Sequence, residues 1–157
     1  MSAVRIEPTP IGMLRLVSNG TALTQVDWVS GTPDAHREDA VLVEAARQLH
    51  AYLSGRLLHF ELPLAPAGTP FQQRVWQALQ AIPYGTTMSY SHLAALIDEP
   101  GKARAVGHAN GRNPIPIIIP CHRLVGSGGD LTGYGGGLER KQWLLDLESS
   151  GGIPPPH

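Results

Sequence analysis

The sequence predicts an α+β protein of two domains: a small amino-terminal antiparallel sheet with one helix, then a mainly helical carboxyl-terminal domain that contains a helix-turn-helix. Three observations lead there. Alternating apolar and polar residues give way to helical spacing at about residue 42, a stretch rich in Pro and Ala precedes a capped helix start at Thr69, and two short helical stretches flank a turn at residues 98–101. The expected layout is an amino-terminal domain over 1–65, a linker over 66–69, a carboxyl-terminal domain over 70–150 and a disordered tail over 151–157. A chain of 157 residues suffices for one ordinary domain or for two small ones sharing an interface.

The strands come first. Met13-Leu14-Arg15-Leu16-Val17 alternates, Ser18-Asn19-Gly20 breaks the run, and Leu23-Thr24-Gln25-Val26-Asp27-Trp28 resumes it, the pattern of antiparallel strands joined by turns. After a break from Gly31 to Asp34, Leu42, Ala45, Ala46, Leu49, Tyr52 and Leu53 recur at helical spacing and stop at Ser54-Gly55. This is one amphipathic helix laid on a small sheet.

Thr69-Pro70-Phe71-Gln72 opens the second domain with Thr as cap, Pro at the first helical position and Gln at the third. Phe71, Val75, Trp76, Leu79 and Ile82 share one side of that helix, which Pro83-Tyr84-Gly85 ends. Residues 89–97, the turn Asp98-Glu99-Pro100-Gly101 and residues 102–110 read as helix, turn, helix. In the second of these helices Ala103, Ala105, Gly107 and Ala109 suggest a surface thin enough to enter a groove, with Arg104 projecting from it; close helix packing is the alternative. Asn113-Pro114-Ile115-Pro116 cannot be helical, so the chain is expected to enter Ile117 to Ile119 extended.

Composition narrows the chemistry. Hydrophobic residues make up 42% and charged residues 16%, which suits a folded globular chain. The amino terminus lacks an apolar signal core, and no run approaches the roughly 20 apolar residues of a membrane span, so a cytoplasmic location is expected. A formal net charge of −1 means that a nucleic-acid partner has to be argued from a local patch. Lys102, Arg104, Arg112, Arg123, Arg140 and Lys141 do bunch in the second half, while Asp34, Glu38, Asp39 and Glu44 lie in the first. One cysteine excludes an internal disulfide and a multi-cysteine zinc site.

That one cysteine ends the apolar run in Ile117-Ile118-Ile119-Pro120-Cys121-His122-Arg123-Leu124, with two basic neighbours expected to lower its pKa and favour the thiolate. The turn that follows is rich in glycine, at Gly126, Gly128, Gly129, Gly133, Gly135, Gly136 and Gly137, which permits close backbone approach to a flat ligand.

Pro120-Cys121-His122-Arg123, preceded by Gly111-Arg112-Asn113-Pro114 and followed by Gly133-Tyr134-Gly135-Gly136, resembles the O6-alkylguanine-DNA alkyltransferases, over about residues 71–148. The resemblance implies direct repair. The damaged base is flipped out of double-stranded DNA, and the alkyl group on guanine O6 moves irreversibly to the cysteine sulfur, once per protein molecule and without a cofactor or metal.

Carried onto this chain, the resemblance makes Cys121 the acceptor, with His122 (through a water) and Glu148 as the relay that removes the thiol proton. It makes Asn113 the brace of the turn before the cysteine. Tyr90 would crowd the target phosphate and donate toward guanine, and Arg104 would fill the gap left by the extruded base. Tyr134 would wall the pocket, the Gly135 amide would donate to O6, and Ser127 would touch the phosphate backbone. The small-faced helix would bind in the minor groove of DNA containing O6-alkylguanine, with the protein acting as a monomer.

Two positions depart from the family pattern: His108 stands in the recognition helix where a small residue is usual, and Leu124 replaces a valine. Three rival readings are a cysteine hydrolase, a structural cysteine and a non-catalytic helix-turn-helix binder of alkylated DNA. Adjacent Cys121-His122 argues against the hydrolase, and retention of the acceptor cysteine argues against the binder.

Overall fold

The structure is a computed structural model that describes residues 2–30, 37–131 and 133–152. The break read at Gly31 to Asp34 and tail residues 153–157 lie outside the described residues. Three antiparallel strands, β1 (Ala3–Thr9), β2 (Gly12–Ser18) and β3 (Leu23–Val29), follow one another in the order β1-β2-β3. The sequence reading found β2 and β3 and missed β1. Its inward positions include an acid, Glu7, which hides the alternation. Glu7 is buried because it accepts hydrogen bonds from Arg5 Nε at 2.6 Å and, when that imidazole donates, from His50 Nε2 at 2.7 Å.

Helix α1 (Ala40–Leu53) starts where Asp39 accepts from the Leu42 amide at 2.9 Å, and it covers the sheet with Leu42, Ala45, Ala46, Leu49, Tyr52 and Leu53, all buried. Each such leucine contributes about 1.5–3 kcal/mol by leaving water. Gly55 ends the helix at φ +80°, against the backbone of Gly152 beyond the last helix, where a Cβ would lie 1.7 Å from the Gly152 carbonyl oxygen. Only glycine fits there.

The outer edge of β3 is satisfied from the rest of the chain. Leu23 N donates to Pro63 O, Ala65 N to Leu23 O and Val26 N to Pro114 O, each at 2.8 Å. The sheet is thereby stitched to the segment that leads to the cysteine, and one apolar core runs from Ala3 to Leu147 through both halves.

Helix α2 (Pro70–Gln80) carries the capping box that its sequence promises: Gln72 N donates to Thr69 Oγ1 at 3.2 Å and Thr69 N to Gln72 Oε1 at 2.9 Å. Such a cap contributes about 1 kcal/mol. Helices α3 (Tyr90–Leu96, capped by Ser89) and α4 (Ala103–Gly111) form the helix-turn-helix, and Trp76 Nε1 on α2 donates to Ala109 O at 2.8 Å. The small residues of α4 do not share one face, because positions two apart on a helix point to different sides. Ala109 is core, the Gly107 backbone faces the Tyr90 ring, and Arg104, Ala105 and His108 are exposed. Packing and surface both draw on that stripe.

Residues 113–120 depart from the expected extended run. The prolines do exclude helix, but the chain folds into tight turns, with Ile118 N donating to Pro116 O and Ile119 N to Ile115 O at 2.9 Å, and with Ile117 at φ +73°. Asn113 causes this, since its Nδ2 donates to Ile119 O at 2.9 Å and its Oδ1 accepts from Ile115 N at 3.0 Å. A left-handed isoleucine costs on the order of 1–2 kcal/mol. Burial of Ile115, Ile117, Ile118 and Ile119 offsets it. A 3₁₀ turn (Cys121–Arg123) leads to β5 (Leu124–Val125), which pairs in parallel with β4 (Met88–Ser89), and helix α5 (Leu138–Ser149) closes the described fold.

Candidate active site

Cys121 lies on the wall of a cavity of about 250 Å³, also lined by Asn113, Tyr134, Gly135 and, from the amino-terminal sheet, Asp27 and Trp28. Cys121 is 5% exposed, its carbonyl accepts from Asn110 Nδ2 at 3.3 Å, and its amide donates to Ile119 O at 2.7 Å. Hydrogen bonds around residues 113–121 thus fix the backbone that carries the sulfur.

The expectation of a resting thiolate is corrected by this setting. Burial pushes the Cys121 thiol up to about 11, although the Asn113 side chain, the Lys141 charge and the residue's own backbone pull the other way. The two basic neighbours in sequence do not help. Arg123 turns away to Glu148, and the imidazole of His122 is itself driven toward neutrality, chiefly by burial. The thiol is therefore protonated at neutral pH and needs a base at the moment of reaction.

A candidate base is adjacent. His122 is fully buried, with Nε2 2.8 Å from Glu148 Oε2, while Nδ1 is buried and has no hydrogen-bond partner among the described residues. An ionised carboxylate can only accept, so Nε2 carries the proton and Nδ1 is left with its lone pair. Burial alone would raise the Glu148 carboxyl; hydrogen bonds from His122 and Arg123, and the Arg123 charge, outweigh it and hold the group at about 2. Arg123 grips it in a two-pronged bond, Nε to Oε1 and Nη2 to Oε2, each 2.8 Å. Glu148 therefore stays ionised and favours a proton on His122 without taking it, as the acid of a hydrolase triad does.

Three residues of this cluster were missed by the sequence reading as participants. In the sequence Arg123 reads only as a basic neighbour of Cys121. Lys141, buried on α5, donates through Nζ to Leu124 O at 2.7 Å and places its charge near Cys121. It lies two helical turns before Glu148, on the same stripe as Leu144, so a lysine on an apolar face was the available signal. Tyr52 on α1 donates to Glu148 Oε2 at 2.5 Å. Its helical spacing marked it as core and nothing more.

The glycine-rich loop covers the other side. Tyr134 is half-buried with its hydroxyl enclosed, and its phenol is raised well above the usual tyrosine range by burial and by the Cys121 sulfur, against the Arg140 charge, so it stays protonated. Gly135 is exposed and lines the cavity, and a Cβ on Gly136 would fall 2.4 Å from Trp28 Nε1. Arg140 lies over the Trp28 ring at 4.1 Å and donates through Nε to Ile11 O at 2.7 Å.

The remaining predicted residues sit apart from the cavity. Tyr90 opens α3 half-buried against Gly107, Arg104 is exposed near the start of α4, and Ser127 is exposed in the turn after β5. The structure therefore brings Cys121, His122, Glu148, Asn113, Tyr134 and Gly135 together and leaves Tyr90, Arg104 and Ser127 on the adjoining surface. Among the described residues no group of His, Cys, Asp and Glu could hold a metal ion, and no helix is long and apolar enough to cross a membrane.

Two family models match this chain: "6-O-methylguanine DNA methyltransferase, ribonuclease-like domain" over residues 5–66 and "6-O-methylguanine DNA methyltransferase, DNA binding domain" over residues 70–150. A methylated-DNA–protein-cysteine methyltransferase of Mycobacterium leprae is 52% identical over 145 residues, 89% of this chain and 88% of that one. A constitutive one of Bacillus subtilis is 45% identical over 150 residues, 89% and 91% of the two chains. The crystal structure of Mycobacterium tuberculosis OGT in complex with DNA superimposes with a TM-score of 0.88 at 49% identity, covering 96% of this chain and 94% of that chain.

Proposed function

This chain belongs to the O6-methylguanine DNA methyltransferase family, and from that premise we propose how its site residues divide the work of repair. It is an enzyme that repairs alkylated DNA directly by moving the alkyl group to a cysteine of its own. With a single cysteine in the chain, the acceptor is Cys121. The proposed substrate is O6-alkylguanine in double-stranded DNA, reached through the minor groove by α4 and extruded into the cavity beside Cys121. We assign residues 1–65 and 70–150 to two domains joined by a linker at 66–69, acting as a monomer.

His122 Nδ1 takes the thiol proton through a water, and Glu148 stabilises the imidazolium that forms. The Cys121 sulfur attacks the alkyl carbon in line, a thioether S–C bond forms, and the C–O6 bond breaks. Guanine leaves with a proton gained at N1 from water, and the imidazolium returns its proton to water, so thiol and O6-alkylguanine become thioether and guanine with no net change in protons. Tyr90 donates toward the base, and the Gly135 amide donates to O6 where negative charge develops. Tyr134 walls the flipped base, Asn113 fixes the turn before the sulfur, Arg104 fills the stack, and Ser127 contacts phosphate. Because the resting thiol is protonated and buried, the nucleophile is generated by transfer of its proton to His122.

The observation that carries this proposal is the chain's only cysteine, on a cavity wall between the His122–Glu148 pair and the Tyr134–Gly135 loop. The non-catalytic alternative is not favoured, since full-length relatives are methyltransferases. The test is the intact and peptide mass of the protein after incubation with duplex DNA carrying one O6-methylguanine, beside Cys121→Ser. One methyl on Cys121 and restored guanine are expected, with neither in the variant. Unmodified protein bound to unrepaired DNA would return the non-catalytic reading.

A further inference from the structure

Tyr52 belongs to α1, yet its hydroxyl lies 2.5 Å from Glu148 Oε2 and 3.4 Å from His122 Nε2, residues far along the chain on α5 and the 3₁₀ turn. The ring is fully buried, tilted against Phe60 with centroids 5.1 Å apart and edge-on to Tyr84 at 6.1 Å. Burial, the Glu148 charge and the hydrogen bond to Glu148 all keep the phenol protonated. Facing an ionised carboxylate, it can only donate. His122 Nε2 donates to the same oxygen at 2.8 Å, and so does Arg123 Nη2. Oε1 takes Arg123 Nε at 2.8 Å and the Gly85 amide at 3.4 Å.

Two neutral donors, a phenol and an imidazole, thus compete for one carboxylate oxygen. A buried imidazole beside an uncapped carboxylate tends to hold a second proton as the ion pair, and an imidazolium cannot accept the proton of a thiol. We propose that Tyr52 is a positioning residue of the alkyl-transfer relay: by donating to Glu148 Oε2 it weakens the pull of that carboxylate on the imidazole, so that His122 rests neutral with Nδ1 free to act as base. The inference rests on the assignment of Cys121, His122 and Glu148 as the relay, and it gives the amino-terminal domain a part in the chemistry.

The groups that bear on His122 are Cys121 and Arg123 on its own turn, Glu148 and Lys141 on α5, and Tyr52 on α1, with Tyr84 after α2 facing Glu148 and Arg123. Arg123 and Lys141 oppose protonation of the imidazole through their charge, and Glu148 favours it. Tyr52 acts on the second of these without adding charge. A hydroxyl is suited to that, because it tempers the carboxylate yet leaves it ionised to receive the imidazolium when the thiol proton arrives.

The experiment is the single-turnover rate of methyl transfer against pH, for the wild-type chain and Tyr52→Phe, with the His122 ring-nitrogen shifts followed by NMR over the same range. Phe keeps the packing against Phe60 and Tyr84 and removes the donor. The acidic limb of the rate profile and the His122 titration should both move to higher pH by about half a unit to one unit, a roughly threefold to tenfold lower rate on that limb, with the plateau changed by less than about threefold. Superimposable limbs would overturn the proposal, and so would a uniform loss of rate at every pH with a lowered melting temperature, the signature of packing alone. Should Tyr52→Phe not fold, the wild-type Tyr52 hydroxyl proton decides: a downfield, slowly exchanging resonance supports the bond, and its absence overturns it. Wild-type protein that transfers no methyl at any pH defeats the relay assignment itself, while the hydroxyl resonance still reads the Tyr52 bond separately.

Discussion

At the scale of the residue, the decisive fact is that burial beats proximity at Cys121. Lysine, histidine and arginine lie nearby, yet the thiol rises from 9.0 to about 11, because taking a thiolate out of water costs more than one buried cation and a side-chain amide return. The sign of the pH effect follows. A group whose pKa is raised on folding stabilises the fold fully below its unfolded value and loses that contribution as pH rises through the folded value. The window is therefore pH 9 to about 11, and two units at 1.36 kcal/mol each give about 3 kcal/mol. Relative to Cys121→Ala, the wild-type protein should lose about that much stability across this window, measured by urea unfolding at stepped pH. Equal slopes for the two proteins would mean that the thiol titrates normally. The same burial predicts that iodoacetamide leaves the free protein unmodified at neutral pH over times that alkylate an exposed cysteine.

At the scale of the element, local chemistry was legible where a few neighbouring residues decide the outcome. Thr69-Pro70-Phe71-Gln72 dictates its own capping box, and the α1 stripe from Leu42 to Leu53 dictates its buried face. Legibility failed where the deciding partner is distant. The turns at 113–120 depend on Asn113 reaching Ile119 O and on the Val26 amide of the sheet reaching Pro114 O, and the proposed role of Tyr52 depends on a carboxylate that only folding delivers. The motif singles out Cys121 and the family resemblance adds His122, Glu148 and Asn113 as candidates, but that burial raises the thiol's pKa could not be read, because burial is not written in spacing. The glycine loop makes the same point testable. A Cβ on Gly136 would meet Trp28 Nε1 at 2.4 Å and Tyr134 Cε2 at 2.9 Å, while one on Gly135 meets nothing within 4 Å. Trp28 is held beneath Arg140 and cannot readily yield. Gly136→Ala should therefore displace the Tyr134 wall and slow methyl transfer by on the order of tenfold to a hundredfold, whereas Gly135→Ala, which keeps the backbone amide, should react within a few-fold of wild type. Equal rates for the two variants would show that the loop is not held at Gly136.

At the scale of the whole molecule, the cavity is shared property. β3 forms one wall with Asp27 and Trp28, and α1 sends Tyr52 to Glu148 from the opposite side. The turn after β1 receives Arg140, whose one side chain donates through Nε to Ile11 O at 2.7 Å and through Nη1 to Gly136 O at 3.2 Å, and lies 4.1 Å over Trp28. Sheet, loop and α5 meet on that guanidinium. Its hydrogen bonds and its cation–π contact each contribute about 0.5–1.5 kcal/mol, so their joint loss is about 2 kcal/mol. For a chain of this size each kcal/mol moves the melting temperature by about 2–4 °C. Arg140→Ala should thus melt about 4–8 °C lower. Because the same contacts hold Trp28 and the Gly136 backbone against the cavity, it should also transfer methyl more slowly, and discriminate less between methyl and benzyl groups on O6. Arg140→Lys, which can keep a charge over Trp28 but not the forked geometry, should fall between the two in both measurements. A variant that melts lower and reacts at the wild-type rate would separate stability from catalysis here, and would show that the amino-terminal sheet supports the cavity without shaping it.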